Sequence, residues 1–103
     1  MLDPQLPVTP PPGAEDFYTL FVQASENGTY YLKQGARGIS ELVAAAELGA
    51  RLETYRDSVS EPRVFIRCDR KARFADGIYA LDQVRLAGIK QVSVETFASA
   101  PGS

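Results

Sequence analysis

The chain has 103 residues, 45% of them hydrophobic, with 11 Lys and Arg against 13 Asp and Glu for a net charge of −2. Those totals describe one domain whose folded part removes only about 60–65% of its unfolded surface from water, with no room for a cleft between two domains. They offer nucleic acid no electrostatic hold, and with no histidine and one cysteine they exclude histidine triads, histidine metal sites and an internal disulfide.

Residues 1–14 carry five prolines, Pro4, Pro7, Pro10, Pro11 and Pro12, followed by Gly13. Proline fixes φ and withholds a backbone donor, so this stretch is expected to be an extended, polyproline II-like linker. A tether suffices for Pro10 to Ala14. Leu6-Pro7-Val8 is an apolar, stiffened triplet and a candidate docking strand.

The folded domain is expected over residues 15–97. Phe17 to Ser25 is rich in aromatic and β-branched residues, Asn27-Gly28 supplies the positive φ angles of a type I′ turn, and Thr29-Tyr30-Tyr31-Leu32 resumes the strand pattern. This predicts a β-hairpin. Gln34 to Gly38 holds two glycines and reads as loop. Ser40 is placed as an N-cap with Glu41 in the first turn, and Leu42, Ala45, Leu48, Leu52 and Tyr55 form an apolar stripe of a helix running to about Arg56. Gly49 inside that helix costs up to ~1 kcal/mol relative to Ala, so close approach to a strand is expected there. Asp57 to Pro62 is a polar connection.

Val64, Ile66 and Cys68 then fall on one face of a strand, with Phe65, Arg67 and Asp69 on the other. From Phe74 the period changes, and Phe74, Ile78, Leu81, Val84 and Arg85 give a helical stripe to lie on a sheet. Asp76 in the first turn and Arg85 in the last suit the helix dipole. Gly88 supplies a left-handed C′ position with Ile89 folding back onto the last turn, so the helix ends at Ala87. Val92 and Val94 alternate with Gln91, Ser93 and Glu95 in a final strand, and Ala98 to Ser103 is a flexible tail. The expected fold class is α+β, in the order β-β-α-β-α-β, with a mixed sheet and two helices packed on one face. The other face is left open.

Chemistry has little to stand on. Cys68 is placed as a small core residue, and Gly35-Ala36-Arg37-Gly38 lacks the Lys-Ser/Thr that would follow in a phosphate loop. An acylphosphatase-like enzyme would need such a loop with a paired Asn and Arg, and the single asparagine is Asn27 in the hairpin turn. No cofactor, metal or catalytic residue is assigned. Arg63, Arg67, Arg70, Lys71 and Arg73 concentrate positive charge over residues 63–73, opposed only by Asp69. A solvated loop explains them; attraction of an anionic partner is the functional alternative. Asp82, three residues before Arg85, suits an exposed helix pair. Phe21 and Phe65 are expected to share the open sheet face with Arg67 and Glu95, and the last strand to leave an edge for strand addition.

Arg67-Cys68-Asp69, Arg70-Lys71, Phe74, Leu81-Asp82-Gln83-Val84, Ala87-Gly88-Ile89 and Val92-Ser93-Val94 occur in the order and spacing of the C-terminal signature of the ExbD/TolR biopolymer-transport family, which this stretch resembles. Cys68 replaces the usual Ala, and Arg73 stands where the family often has Pro or Asp. Leu6-Pro7-Val8 resembles the family's Leu-Pro motif outside the membrane, and the Asn27-Gly28 hairpin resembles its opening hairpin. The resemblance implies a non-enzymatic periplasmic domain. Its full-length parent would be anchored in the bacterial inner membrane by a single N-terminal helix that is absent from this chain.

It further implies a homodimer that works with an ExbB-like membrane subunit to use the proton gradient and drive a TonB-like protein. Leu20, Tyr30-Tyr31-Leu32 and Arg67-x-Asp69 look closer to the ExbD branch; a TolR-like domain binding peptidoglycan is the alternative. The residues assigned to partner binding are Leu6, Pro7, Val8, Phe21, Phe65, Arg67, Val92 and Val94. Arg70, Lys71 and Arg73 are assigned to contacts with an anionic partner such as the cell wall.

Overall fold

The structure, a computed structural model, describes residues 18–95. The linker over residues 1–14, including Leu6, Pro7 and Val8, and the tail over 98–103 lie outside the described residues. The chain forms β1 (Leu20–Ala24), β2 (Thr29–Gln34), β3 (Glu41–Ala44), α1 (Ala45–Ser58), β4 (Arg63–Cys68), α2 (Phe74–Leu86) and β5 (Gln91–Glu95). The five strands make one sheet in the order β3-β2-β1-β4-β5. Strand β1 pairs antiparallel with β2, and β2 with β3, while β1–β4 and β4–β5 are parallel. The α+β class, the mixed sheet and the two helices on one face are as expected.

The first difference is β3. Residues 41–44 were expected to open the first helix behind a Ser40 cap, and instead they pair with β2, Val43 opposite Tyr30 and Leu42 opposite Tyr31. The helix starts at Ala45, with Ala44 as an extended N-cap. Glu41-Leu42-Val43-Ala44 fits either period over four residues, and the choice falls to tertiary pairing, which buries the β-branched Val43. The consequence is topological. Strand β2 runs against β1 and β4, and β3 restores the direction, so that β3-α1-β4 becomes a parallel crossover like β4-α2-β5.

The hairpin also differs in detail. Asn27 and Gly28 take the expected positive φ of 62° and 68°. The ladder, however, pairs Ala24 with Tyr30, so three residues, Glu26 to Gly28, form the loop rather than two. The Ser25 N–H donates to the Thr29 carbonyl at 2.9 Å, and the Thr29 hydroxyl donates to the Glu26 carbonyl at 2.9 Å.

One face of the sheet carries the core. Leu20, Val22, Tyr30, Leu32, Val43, Val64 and Ile66 meet Leu48, Leu52 and Tyr55 of α1 and Ala80 and Val84 of α2. Val22 and Ile66 sit opposite each other with no exposed surface, each burial stabilising by about 1.5–3 kcal/mol. The α2 stripe is narrower than expected. Phe74 is 77% exposed and Ile78 is also exposed, because the helix turns Gly77, Ala80 and Val84 toward the sheet. A Cβ placed on Gly77 would lie 2.7 Å from Cys68 Sγ, so a missing side chain, not a large one, sets the approach of α2 to β4. Gly49 serves α1 in the same way, but toward the Gln83 side chain of α2 rather than a strand.

Three polar side chains tie the layers. The buried Tyr30 hydroxyl donates to the Asp76 carbonyl at 2.7 Å in the first turn of α2. The Tyr55 hydroxyl donates to the Tyr18 carbonyl at 2.5 Å and accepts from the Arg63 N–H at 3.1 Å, joining α1 to the start of β1 and β4. The Arg56 guanidinium donates to the Ala87 carbonyl at 2.5 Å, a cation at the C-terminal end of α2. There Gly88 takes a φ of 85° and the Ile89 N–H donates to the Val84 carbonyl at 3.2 Å, the expected cap with Ile89 buried.

Two predictions follow from this packing. Overpacking costs about 1–3 kcal/mol and Ala gains up to ~1 kcal/mol over Gly in a helix, so Gly77→Ala should lower the urea midpoint on balance, and adding Cys68→Ala should restore most of the loss. Equal losses in the single and double variants would disprove the Gly77–Cys68 contact. The second concerns pH. Burial first, then the neighbouring Asp76, Tyr79 and Cys68 charges, pushes the Tyr30 phenol from the ordinary 10.0 up to about 12. The unfolded phenol therefore ionises before the folded one, so stability is full below pH 10.0 and falls as pH rises toward about 12. Urea midpoints across that window should fall more steeply in the native chain than in Tyr30→Phe.

Candidate functional site

Among the described residues no helix packs on the second face of the sheet. Alternation puts Phe21 and Gln23 of β1, Tyr31 and Lys33 of β2, Leu42 of β3, Phe65 and Arg67 of β4, and Ser93 and Glu95 of β5 on it. The register sorts them into two rows across the strands. Leu42, Tyr31, Gln23, Arg67 and Glu95 make one, and Lys33, Phe21, Phe65 and Ser93 make the other. Within the second row the Phe21 and Phe65 rings meet edge to face, centroids 5.9 Å apart at 79°. Within the first, Arg67 Nε lies 3.1 Å from Glu95 Oε1, both side chains about half exposed.

Phe21, Gln23, Tyr31, Lys33, Phe65, Arg67 and Glu95 line an open concavity of about 580 Å³, with Ala36 and Ser40 of the loop between β2 and β3 on one side. That loop is set by Gly35, whose φ of 78° turns the chain and whose N–H donates to the Thr19 carbonyl at 2.8 Å. The floor is aromatic and the rims are cationic, Lys33 on one side and Arg67 on the other, with the Arg67 charge shared with Glu95. Such a surface can bind an extended segment by aromatic contact and orient it by charge. It has no nucleophile with a base beside it. Burial, with a smaller contribution from Asp76, pushes the Cys68 thiol up, which disfavours the thiolate, and its neighbour is the Gly77 backbone of α2. Among the described residues no group of His, Cys, Asp and Glu is arranged to hold a metal.

The residues assigned from sequence fall on separate surfaces. Phe21, Phe65 and Arg67 come together with Glu95 on the open face, as alternation requires. Val92 and Val94 project from the opposite face of β5, beside the helices, with Val92 half-buried and Val94 48% exposed. Strand β5 pairs only with β4 among the described residues, so its outer edge is available to another strand. Arg70 and Lys71 are exposed in the turn between β4 and α2, where the Ala72 N–H donates to the Asp69 carbonyl at 3.0 Å. The Arg73 N–H donates to Asp76 Oδ2 at 3.2 Å, and its exposed guanidinium lies 3.9 Å from the same oxygen.

Sequence reasoning missed Tyr31, Lys33 and Leu42. The alternation of Thr29 to Lys33 already put Tyr31 and Lys33 on one face, and the hairpin register put that face with Phe21. Leu42 carried no such signal, because its stretch was assigned to a helix.

The family model described as biopolymer transport protein ExbD/TolR matches residues 3–99. No curated protein matches the chain. No helix among the described residues is long and apolar enough to cross a membrane. The family match takes in both the open-face strands and the stretch from Arg67 to Val94 that carries the signature, and the chain belongs to the ExbD/TolR biopolymer-transport family.

Proposed function

We propose that this chain is the periplasmic domain of an ExbD-like subunit in a proton-motive-force-driven complex of the TonB-ExbB-ExbD type, acting as a dimerisation and partner-binding module that helps power outer-membrane transport. The single observation that carries the reading is the uncovered sheet face, where Phe21 and Phe65 stack edge to face beside Arg67. An unpartnered aromatic floor with cationic rims suits an extended, proline-rich segment of a TonB-like protein. The edge of β5, which no described strand pairs, with Val92 and Val94, suits a second strand from another copy in a homodimer. Leu6-Pro7-Val8 is a second docking element in this reading. The Pro-rich linker passes on the position of an inner-membrane helix in the full-length parent, beside its ExbB-like subunit.

A TolR-like role on peptidoglycan is the second reading, favoured by the exposed Arg70, Lys71 and Arg73, which are spaced from the open face and suited to the carboxylates of the wall.

An NMR titration of the chain with a proline-rich segment of a TonB-like protein separates the two. Shifts should centre on Phe21, Phe65 and Arg67. Phe21→Ala or Phe65→Ala should weaken binding about 2–10-fold, the range of an edge-to-face aromatic contact of about 0.5–1.5 kcal/mol, without unfolding the domain. No shifts at millimolar peptide, with shifts at Arg70 and Lys71 on adding wall fragments, would replace the first reading by the second.

A further inference from the structure

The end of the domain where residues 1–17 join it is built from four segments drawn together by hydrogen bonds. The Gly35 N–H donates to the Thr19 carbonyl at 2.8 Å, which brings the loop between β2 and β3 beside Tyr18. The Tyr55 hydroxyl bonds the Tyr18 carbonyl and the Arg63 N–H, and Arg63 sits opposite Gln91 at the start of β5. The Arg56 guanidinium, on the Ala87 carbonyl, brings in the end of α2. Three of these segments each raise one large apolar side chain into solvent. Ile39 is 88% exposed, Leu86 77% and Tyr18 65%. Between them stand the exposed Arg37, Arg63 and Lys90, and no ion pair among the described residues engages those three side chains. Among the described residues the acidic groups at this end are Glu41 at the start of β3, held by Arg51, Asp57, held by Arg56, and Glu61 in the connection before β4. Among the described residues, three cations outside any ion pair thus face one such carboxylate at this end.

A protein partner seeks a contiguous, close-packed patch. Here the apolar groups are single tips on separate loops, each beside a cation. That spacing suits a bilayer surface, where isolated aromatic and aliphatic side chains enter the boundary between headgroups and acyl chains while Arg and Lys stay level with the phosphates. We propose that this end of the domain rests on an anionic lipid bilayer, with Ile39, Leu86 and Tyr18 in the boundary layer and Arg37, Arg63 and Lys90 on lipid phosphates. The inference stands apart from the open-face reading, since it uses none of Phe21, Phe65 or Arg67.

Pelleting of the 103-residue chain with vesicles of equal parts phosphatidylcholine and phosphatidylglycerol at low salt tests it. Binding is expected to the anionic vesicles, and to fall away in pure phosphatidylcholine and at high salt. Ile39→Asp and Lys90→Glu should each lower the bound fraction several-fold, about fivefold per cation, and both change solvent-exposed groups, so the NMR spectrum of the folded domain should persist. Arg70→Glu, at the opposite end, and Phe21→Ala, on the open face, should bind as the native chain does. Absence of binding to anionic vesicles at low salt would overturn the proposal. So would full binding by Ile39→Asp, or a loss in Arg70→Glu equal to that in Lys90→Glu.

Discussion

The parallel pairing of β1 with β4 is the constraint on which the rest of the domain depends. Parallel neighbours need a long crossover, and the crossover helix has to bury its apolar stripe on the sheet it spans. Strand β3 turns the chain into the direction that such a crossover needs, α1 carries it over β2 and β1, and α2 repeats the move from β4 to β5. Both moves run the same way across the sheet, so both helices occupy one face. Val22 and Ile66 lie where the two helices and the central strands meet, and both are fully buried.

An uncovered face is the direct consequence. Two helices suffice to close one side of five strands, and the period-two alternation sends Phe21, Tyr31, Phe65 and Arg67 to the side that no described element covers. Phe21 and Phe65 are half-buried there, shielded in part by their edge-to-face contact. The Arg67–Glu95 pair adds little to stability at such exposure, and its value lies in fixing where the Arg67 charge points.

The polar ties sort the ends of the domain. Tyr55 and Arg56, neighbours at the end of α1, gather the starts of β1 and β4 and the end of α2, while Tyr30 reaches the start of α2 at the other end. The end gathered by Tyr55 and Arg56 is also the one where the preceding residues join the described fold. The basic turn at Arg70 and Lys71 lies away from it, beyond the far end of β4. Open face, β5 edge and the two charged ends are therefore separate surfaces of one small body, and a change at one leaves the chemistry of the others in place.

Local pattern was enough for much of this. The alternation in residues 64–68 and 91–95, the Asn27-Gly28 turn and the Gly88-Ile89 cap depend on neighbours a few residues apart, and alternation sets Phe21, Phe65, Arg67 and Glu95 each opposite the core residues of its own strand, while the register of β1, β4 and β5 brings them together. Family membership was legible for a similar reason, since the signature from Arg67 to Val94 is contiguous in the chain. Tertiary structure alone decided that residues 41–44 pair with β2, because so short a stretch, Glu41-Leu42-Val43-Ala44, satisfies helix and strand periods equally and only a partner strand separates them. It also decided that Gly77 and Ala80, rather than Phe74 and Ile78, face the sheet, since the closeness of α2 to β4 is set by the space beside Cys68 and not by hydrophobicity. And it alone gathered Tyr18, Ile39 and Leu86 at one end, because hydrogen bonds between residues tens of positions apart carry no periodic trace in the sequence.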